Sequence, residues 1–548
     1  MYKDNRLVIG QAGEKEIELS LKTMDRHGLI AGATGTGKTT TVRALAESLS
    51  DAGVSVFIAD IKGDLSSVAE SYPVNIWDVF SRSGMPKAAE GGEKYEDPAL
   101  PLHTTVSEVG PIVLARMLGL NETQSQILKV VFKIADDEGL LLIDSKDLRA
   151  MLNYVSENAA DYAAEYGNIA KQSVNTIIRS IVALEDEGGD IFFSEPAVDI
   201  FDWIRTDSSQ KGYIQLLDCR KLITKPVMYS SFMLWLLSEL YENLPEVGDK
   251  DRPNIVFFFD EAHLLFEGAP KALLEKIEQT VKLIRSKEVG IFFISQSPAD
   301  IPDGVLAQLS CKIQHALHAY TPAEIKRVKA IADTYRANEA FDTYETLTSL
   351  GIGEALVSVL DENGVPTVVE KTKIYNANTS GAILSDEQRM SITKASMLYK
   401  RYTDYLDRDS AYELLNRKNI EKAKALEEEK EAAARAKEEE KEAAARAKAE
   451  EREAAARAKA EEREAAARAK AEEREAAAKA KAEEKAAAAK AKETQKAIKN
   501  VVSATGGTIG RELGKTAGKA VGGSFGKTLG GNIGASLGRG LLGTLFKK

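Results

Sequence analysis

The sequence predicts an α/β fold built on a mostly parallel β-sheet, and three observations carry that reading. Runs rich in β-branched and aromatic residues alternate with helical stretches: "HGLIAGA" (27–33), "VSVFIAD" (54–60), "YIQLLD" (213–218), "IVFFFD" (255–260), "IFFIS" (291–295), "KIQHALH" (312–318) and "EALVSVL" (354–360). Runs this rich in apolar residues read as strands covered on both faces, which suggests a mostly parallel sheet. One of them, His27–Ala31, passes directly into a glycine-rich loop and then a helical pattern, "TTTVRALAESL".

Residues 1–104 read as the first part of the core. "GATGTGKTT", Gly32 to Thr40, fits G-x-x-x-x-G-K-[ST], and strand–loop–helix is the context that motif requires. Gly32, Gly35 and Gly37 let backbone N–H groups converge on phosphate oxygens at the positive end of a helix, with Ala33, Thr34, Thr36 and Thr40 completing the cradle. Lys38 reaches the β- and γ-phosphates, and Thr39 offers its hydroxyl to Mg²⁺. A glycine-rich turn before a core helix is the plain alternative. "IADIKGDLS" ends another strand with Asp60 and Asp64, and Asp64 reads as the cap of a helix beginning at Leu65.

Residues 105–190 read as a helical insertion, clearest in "SEVGPIVLARMLGLNETQSQILKVVFKIADDEG". Residues 191–415 return to the core. A phosphate loop needs an acid at the C-terminal end of a buried neighbouring strand, and "NIVFFFDEAH" supplies it. Asp260 would hold Mg²⁺, and Glu261 would polarise the attacking water. The letters Asp260-Glu261-Ala262-His263 are those after which one helicase class is named, but a second motor domain is not found in the sequence. His263 therefore reads as a packing or capping residue. Gln296 follows the "GIFFIS" strand, where a sensor of the γ-phosphate would stand; a turn residue before Pro298 is the alternative.

From residue 416 to 499 variants of "EREAAARAKAE" recur every 11 residues, marked by Arg435, Arg446, Arg457, Arg468, Lys479 and Lys490. Alanine is the best helix former, and Glu431/Arg435, Glu442/Arg446 and Glu453/Arg457 fall in the favourable i,i+4 order. This predicts one long α-helix, roughly 120 Å at 1.5 Å per residue. It is either solitary or paired, and an 11-residue repeat favours a right-handed or nearly straight coiled coil. Residues 500–548 then place glycine at 506 and every fourth residue to 538, beside an apolar row. Such a helix is poor alone and gains from close packing. The segment reads as a glycine-rich helical tail for tail–tail association or for an anionic membrane surface; a flexible tail is the alternative.

Charge and cysteine content exclude several classes. The net charge of −11 argues against a generally adhesive nucleic-acid binder but allows a local basic channel. Residues 501–548 carry seven basic residues against one acid, Glu512, a net of +6. Cys219 and Cys311 make no disulfide framework and read as reduced and buried. Lys3, Asp4 and Arg6 interrupt the start where a signal peptide would lie, and no apolar run approaches a membrane span. The expectation is a cytoplasmic chain, peripherally membrane-associated only through its tail.

The phosphate loop, "VFFFDEAHLLF" and the Gln296 strand together resemble the HerA–FtsK superfamily of ring-forming ATPases. More closely, "IKGDLS", "VSEVGPIVLARMLGLNETQ", "LPEVGDKDRPNIVFFFDEAHLLFEGAPKALLEKIEQTVKLIRSKEVGIFF" and "GIGEALVSVLDENGVPTVVE" resemble a family of bacterial HerA-like proteins. The likeness spans about residues 5–415. It implies a RecA-like P-loop NTPase core, ATP with Mg²⁺, and a homo-hexameric ring. In such rings ATP lies between subunits and a neighbour supplies an arginine finger. Arg285 is the first candidate for that finger and Arg179 a weaker one, a surface ion pair being the alternative for Arg285. Where the family reads "HALRAFTP" this chain has "HALHAYTP", so His318 stands in place of an arginine. The resemblance implies a motor on double-stranded DNA, helicase- or translocase-like, and identifies no partner nuclease. A membrane-tethered ATPase acting on protein and a nucleotide-switched scaffold are the other expectations.

Overall fold

Each apolar run identified in the sequence becomes a strand of one sheet. The computed structural model describes residues 2–487 apart from 4–5, 88–91, 249 and 362–363. The strands are β1 (Tyr2–Lys3), β2 (Arg6–Ala12), β3 (Lys15–Ser20), β4 (Gly28–Ala31), β5 (Ser55–Asp60), β6 (Val74–Asp78), β7 (Leu100–Pro101), β8 (Ile214–Asp218), β9 (Ile255–Phe259), β10 (Val289–Ser295), β11 (Cys311–His315), β12 (Glu354–Ser358) and β13 (Glu370–Ile374). Their order across the sheet is β1-β2-β13-β12-β11-β4-β10-β9-β5-β8-β6-β7, with β3 on β2. From β11 to β7 every pairing is parallel. From β11 through β12 to β1 the pairings are antiparallel. "EALVSVL" is thus a strand as expected but runs against its neighbours.

The two-residue period of a strand distributes the apolar runs between two cores. In β9, Val256 and Phe258 join the core that contains Val42, Leu45 and Leu49 of α1 (Lys38–Asp51), while Ile255, Phe257 and Phe259 join the core on the other face. Phe257 lies 5.0 Å from Phe57 between ring centroids, and Phe258 lies 5.3 Å from Phe292. A core on each face explains why β9 is apolar throughout.

The expected insertion is helical: Val106–Met117, Glu122–Asp137, Ser145–Glu157, Ala159–Tyr166 and Lys171–Asp186. Its starts are chemically marked. Thr105 accepts from Glu108 N, and Asn121 with Gln124 and Asp144 with Asp147 form capping boxes. Val109, Leu128, Leu152, Ile177 and Leu184 bury against the sheet face opposite α1.

The chain divides into two units, Met1–Lys430 and Glu431–Lys548. The long helix runs Ala411–Ala487 among the described residues and begins five residues before the expected 416. The reason is local. Ser410 Oγ donates to Asp147 Oδ1 at 2.5 Å, and Ala411 and Leu415 are buried in the core, so packing fixes the first turns before the repeat begins. In the second unit Glu453–Arg457 and Glu464–Arg468 pair at 2.8 and 3.1 Å. Cys219 and Cys311 are free and buried. No described helix is long and apolar enough to cross a membrane. The glycine-spaced tail, 500–548, lies outside the described residues.

Candidate active site

The C-terminal ends of parallel strands are where this topology gathers chemistry. The loop after β4 is held by both neighbours: Gly32 N donates to Ser295 O at the end of β10 (3.2 Å), and Ala33 N donates to Ala316 O just past β11 (2.8 Å). Two of its glycines are required by space and by φ. At Gly32 (φ +154°) a Cβ would lie 2.5 Å from His315 Cβ, and at Gly37 (φ +110°) one would lie 3.2 Å from Gly353 N. Gly353 N in turn donates to Thr36 O (3.1 Å), fastening the start of β12 to the loop.

Helix α1 follows with Gly37 as its N-cap and no side-chain cap, which leaves its first N–H groups to an anion. Lys38 Nζ donates to Gly32 O (2.5 Å) and Ala33 O (3.1 Å), so the ammonium lies over the loop. Burial lowers its pKa, against the attraction of Glu261. His315 shares a hydrogen bond with Thr41 Oγ1 (2.9 Å) and donates from Nδ1 to Glu354 O (3.0 Å). Burial pulls its pKa down to about 4, so the ring beneath the loop is neutral.

The acids arrive from β5 and β9, parallel neighbours in register at Ala59↔Phe259. One residue further on, Asp60 and Asp260 end side by side. Burial, with neighbouring carboxylates, raises Asp60 to about 7 and Asp260 to about 6. Glu261 is different. It sits at φ +45°, its following N–H (Ala262) bonds Ile294 O at 2.7 Å, and Lys62 Nζ donates to its Oε1. Burial opposes ionisation, but the Lys62 hydrogen bond and charge, with His263 and Lys38, hold this carboxyl below the usual range.

One expectation is corrected here. Asp64 does not cap a helix: the segment after it is a 3₁₀ turn, Ser66–Glu70, without a side-chain cap. Asp60 takes the turn's N–H groups instead, from Gly63 (2.7 Å) and Leu65 (3.3 Å), because it lies buried beneath the turn. Asp64 is left facing α1, where it accepts from Thr39 Oγ1 at 3.1 Å. His263, expected to pack or cap, has its Nδ1 3.3 Å from Glu261 Oε2.

Gln296 stands one residue past β10 and lines a cleft of about 1160 Å³ with Ala33, Thr34, His263 and His318. Arg285 is not brought to its own loop. It lies in the turn Ile284–Lys287 before β10, at the opposite end of the strand, with Nε 3.2 Å from Asp25 Oδ2. Arg179 is on the insertion, donating to Thr176 Oγ1 at 2.9 Å.

Sequence reasoning missed Lys62, the Thr39–Asp64 contact and His315. The repeated polar residues of "IKGDLS" were the available signal for the first two.

The donor set suits a hard cation. The Thr39 hydroxyl, Asp260 and Asp64 present oxygen, and Asp64 Oδ1 is buried without a hydrogen bond. Among the described residues no group of three or more His, Cys, Asp or Glu is arranged to hold a metal alone. Mg²⁺ is held by one or two carboxylates together with phosphates and water, and Thr39, Asp260 and Asp64 are the residues that would hold it.

Several known proteins are similar to this chain. The HerA described as a DNA double-strand break repair helicase in Sulfolobus acidocaldarius is 23% identical over 389 residues, 67% of this chain and 68% of that protein. Its counterpart in Saccharolobus solfataricus is 23% identical over 367 residues, 65% of this chain and 66% of that protein. Among solved structures, the plasmid coupling protein TrwB with ADP and Mg²⁺ aligns at 13% identity and a TM-score of 0.48, over 70% of this chain and 97% of that one. VirB4 of Thermoanaerobacter pseudethanolicus aligns at 16% and 0.45, over 69% and 98%. The phosphate loop, the acid pair beyond β9 and strands β2 to β13 all fall within residues 5–473, the span that matches the helicase HerA-like C-terminal family, and the chain belongs to that family.

Proposed function

We propose that this P-loop ATPase hydrolyses ATP with Mg²⁺ as a homo-hexameric ring and moves double-stranded DNA. One observation carries the catalytic part: Lys38 and Thr39 follow β4 while Asp260 and Glu261 follow β9, at the C-terminal ends of the two parallel strands that flank β10. Thr39 and Asp260 would hold Mg²⁺, joined by Asp64, and the metal would neutralise phosphate charge. Lys38 and the loop N–H groups from Gly32 to Thr40 hold the phosphates, Glu261 takes the proton of the attacking water, and Gln296 reads the γ-phosphate from the cleft. Arg285 lies at the far end of its own strand, a placement that suits action on a neighbour's nucleotide. The relatives' description as DNA repair helicases supports DNA as the polymer moved. The test is ATP hydrolysis by the full chain with double-stranded DNA, anionic vesicles or neither, alongside its mass in solution. DNA stimulation of a six-subunit species is expected; a monomer indifferent to DNA would refute the motor reading.

The +6 charge of residues 501–548 favours a second reading, a membrane-tethered ATPase acting on protein in the cytoplasm. Truncation at residue 500 would then abolish vesicle co-sedimentation while leaving ATP binding intact. Equal sedimentation of both proteins removes that reading.

A further inference from the structure

Glu261 can serve as a base only if one carboxylate oxygen is free and aimed at the reacting water. Its backbone leaves little choice: φ is +45°, and the Ala262 N–H is bonded to Ile294 O on β10 at 2.7 Å. The side chain is fixed separately. Lys62 Nζ donates to Oε1, while Oε2 is buried, has no hydrogen bond among the described residues, and lies 3.3 Å from His263 Nδ1. His263 lines the same cleft as Ala33, Thr34 and Gln296. The two oxygens are therefore not equivalent. One is occupied by an ammonium, and the other faces His263, itself a residue of the cleft wall.

Lys62 is itself held for this task. It sits in the turn that closes over Asp60, through Gly63 N to Oδ1 (2.7 Å) and Leu65 N to Oδ2 (3.3 Å). Because β5 and β9 are parallel and adjacent, that turn overlies the residue after Asp260. About half of the Lys62 side chain is exposed (48%), against 7% for Glu261. The lysine is thus the adjustable partner and the glutamate the fixed one.

We infer that Lys62 is a positioning residue for ATP hydrolysis: by occupying Oε1 it leaves Oε2 of Glu261, on the His263 side, to accept the proton of the attacking water. The inference rests on the reading of Glu261 as the base. No proton passes through Lys62; it remains an ammonium while the proton moves from water to Oε2, the water oxygen bonds the γ-phosphorus, and the bond from that phosphorus to the β–γ bridging oxygen breaks to release ADP.

The test is steady-state and single-turnover ATP hydrolysis by the full-length parent, Lys62→Met, Lys62→Arg, Glu261→Gln and the Lys62→Met/Glu261→Gln double variant. Lys62→Met should lower kcat by at least ~10-fold with KM for ATP changed less than ~2-fold, because general-base catalysis is lost while phosphate binding remains. Lys62→Arg should recover part of that loss. The double variant should be no slower than Glu261→Gln alone, since positioning has no meaning without the base; a purely structural lysine would slow it further. Parent kcat in Lys62→Met with an inactive Glu261→Gln overturns the inference and spares the base. A rise in kcat overturns it too, by making Lys62 a restraint. Parent activity in Glu261→Gln removes the base reading and this inference with it. Circular dichroism checks folding, and Lys62→Gln, read by the same criteria, takes the place of the Met variant if that one is misfolded.

Discussion

In the proposed mechanism Lys38 holds phosphate and Glu261 activates water, so their loss should be distinguishable. Lys38→Ala removes the main positive charge over the loop and should weaken nucleotide binding. Glu261→Gln keeps shape and backbone and should bind ATP normally while turnover falls by about 10²–10⁴. Fluorescent-nucleotide titration beside a phosphate-release assay separates the two; parent turnover in Glu261→Gln would end the assignment. A second residue-scale consequence concerns acid. His103 is buried, donates from Nε2 to Ser81 O at 2.9 Å, and is lowered to about 4 by burial. The unfolded chain therefore takes this proton first, at its ordinary value near 6.5. Stability is full above that value and declines as pH falls towards 4, by roughly 2 kcal/mol at pH 5 for one such group. His27 and His315, also lowered to about 4, act in the same direction. Urea unfolding at pH 7 and pH 5 should show a drop smaller by about that amount in His103→Gln; an unchanged drop would assign the acid sensitivity elsewhere.

The long helix makes its own test, because one element passes from core to solvent. Leu415 is 2% exposed and Leu426 is 51% exposed. Leu415→Ala should lower unfolding stability by about 2–5 kcal/mol, and Leu426→Ala should stay within about 0.5. Equal effects in urea melts would contradict the packing that starts the helix at Ala411. Elements also show what the sequence discloses and what it hides. Most parallel strands buried on both faces were legible, because such burial favours unbroken apolar runs such as "IVFFF". β6, "VNIWD", is buried on both faces but was not foreseen, because Asn75 and Asp78 interrupt its apolar pattern. The other strands not foreseen lack that mark. β13, "EKTKI", alternates polar with buried residues, β2 and β3 form a hairpin with charged outer positions, and β7 is two residues long. The same logic separates the site. The phosphate loop and Asp260-Glu261 are contiguous and could be read. The Lys62–Glu261 and Thr41–His315 contacts join residues 199 and 274 apart, so only the fold brings them together. Asp64 was assigned to a cap because helix starts are a local pattern, whereas its Thr39 partner is set by tertiary placement.

At the scale of the whole molecule, an arginine at the wrong end of its own sheet is informative only if another copy uses it. Arg285→Ala should bind ATP and fail to hydrolyse it. Mixing it with Glu261→Gln should restore part of the activity, since some interfaces then pair an intact Glu261 with an intact Arg285. Native mass spectrometry confirms mixed rings, and no recovery at any ratio would exclude action across subunits. The order of strands has a further bearing, on biosynthesis. Gly10 and Gln11 of β2 are partners of Ile374 and Lys373, and β4 lies between β10 and β11. A ribosome releases β4 and its loop early, yet the strands that flank it come some 260 residues later and the turn that fastens Thr36 some 320 later. At roughly 5–20 residues per second β4 therefore waits on the order of 15–60 s with both edges unpaired. ATP thus finds no site on the nascent chain, and the interval belongs to whatever shields unpaired β-edges during translation.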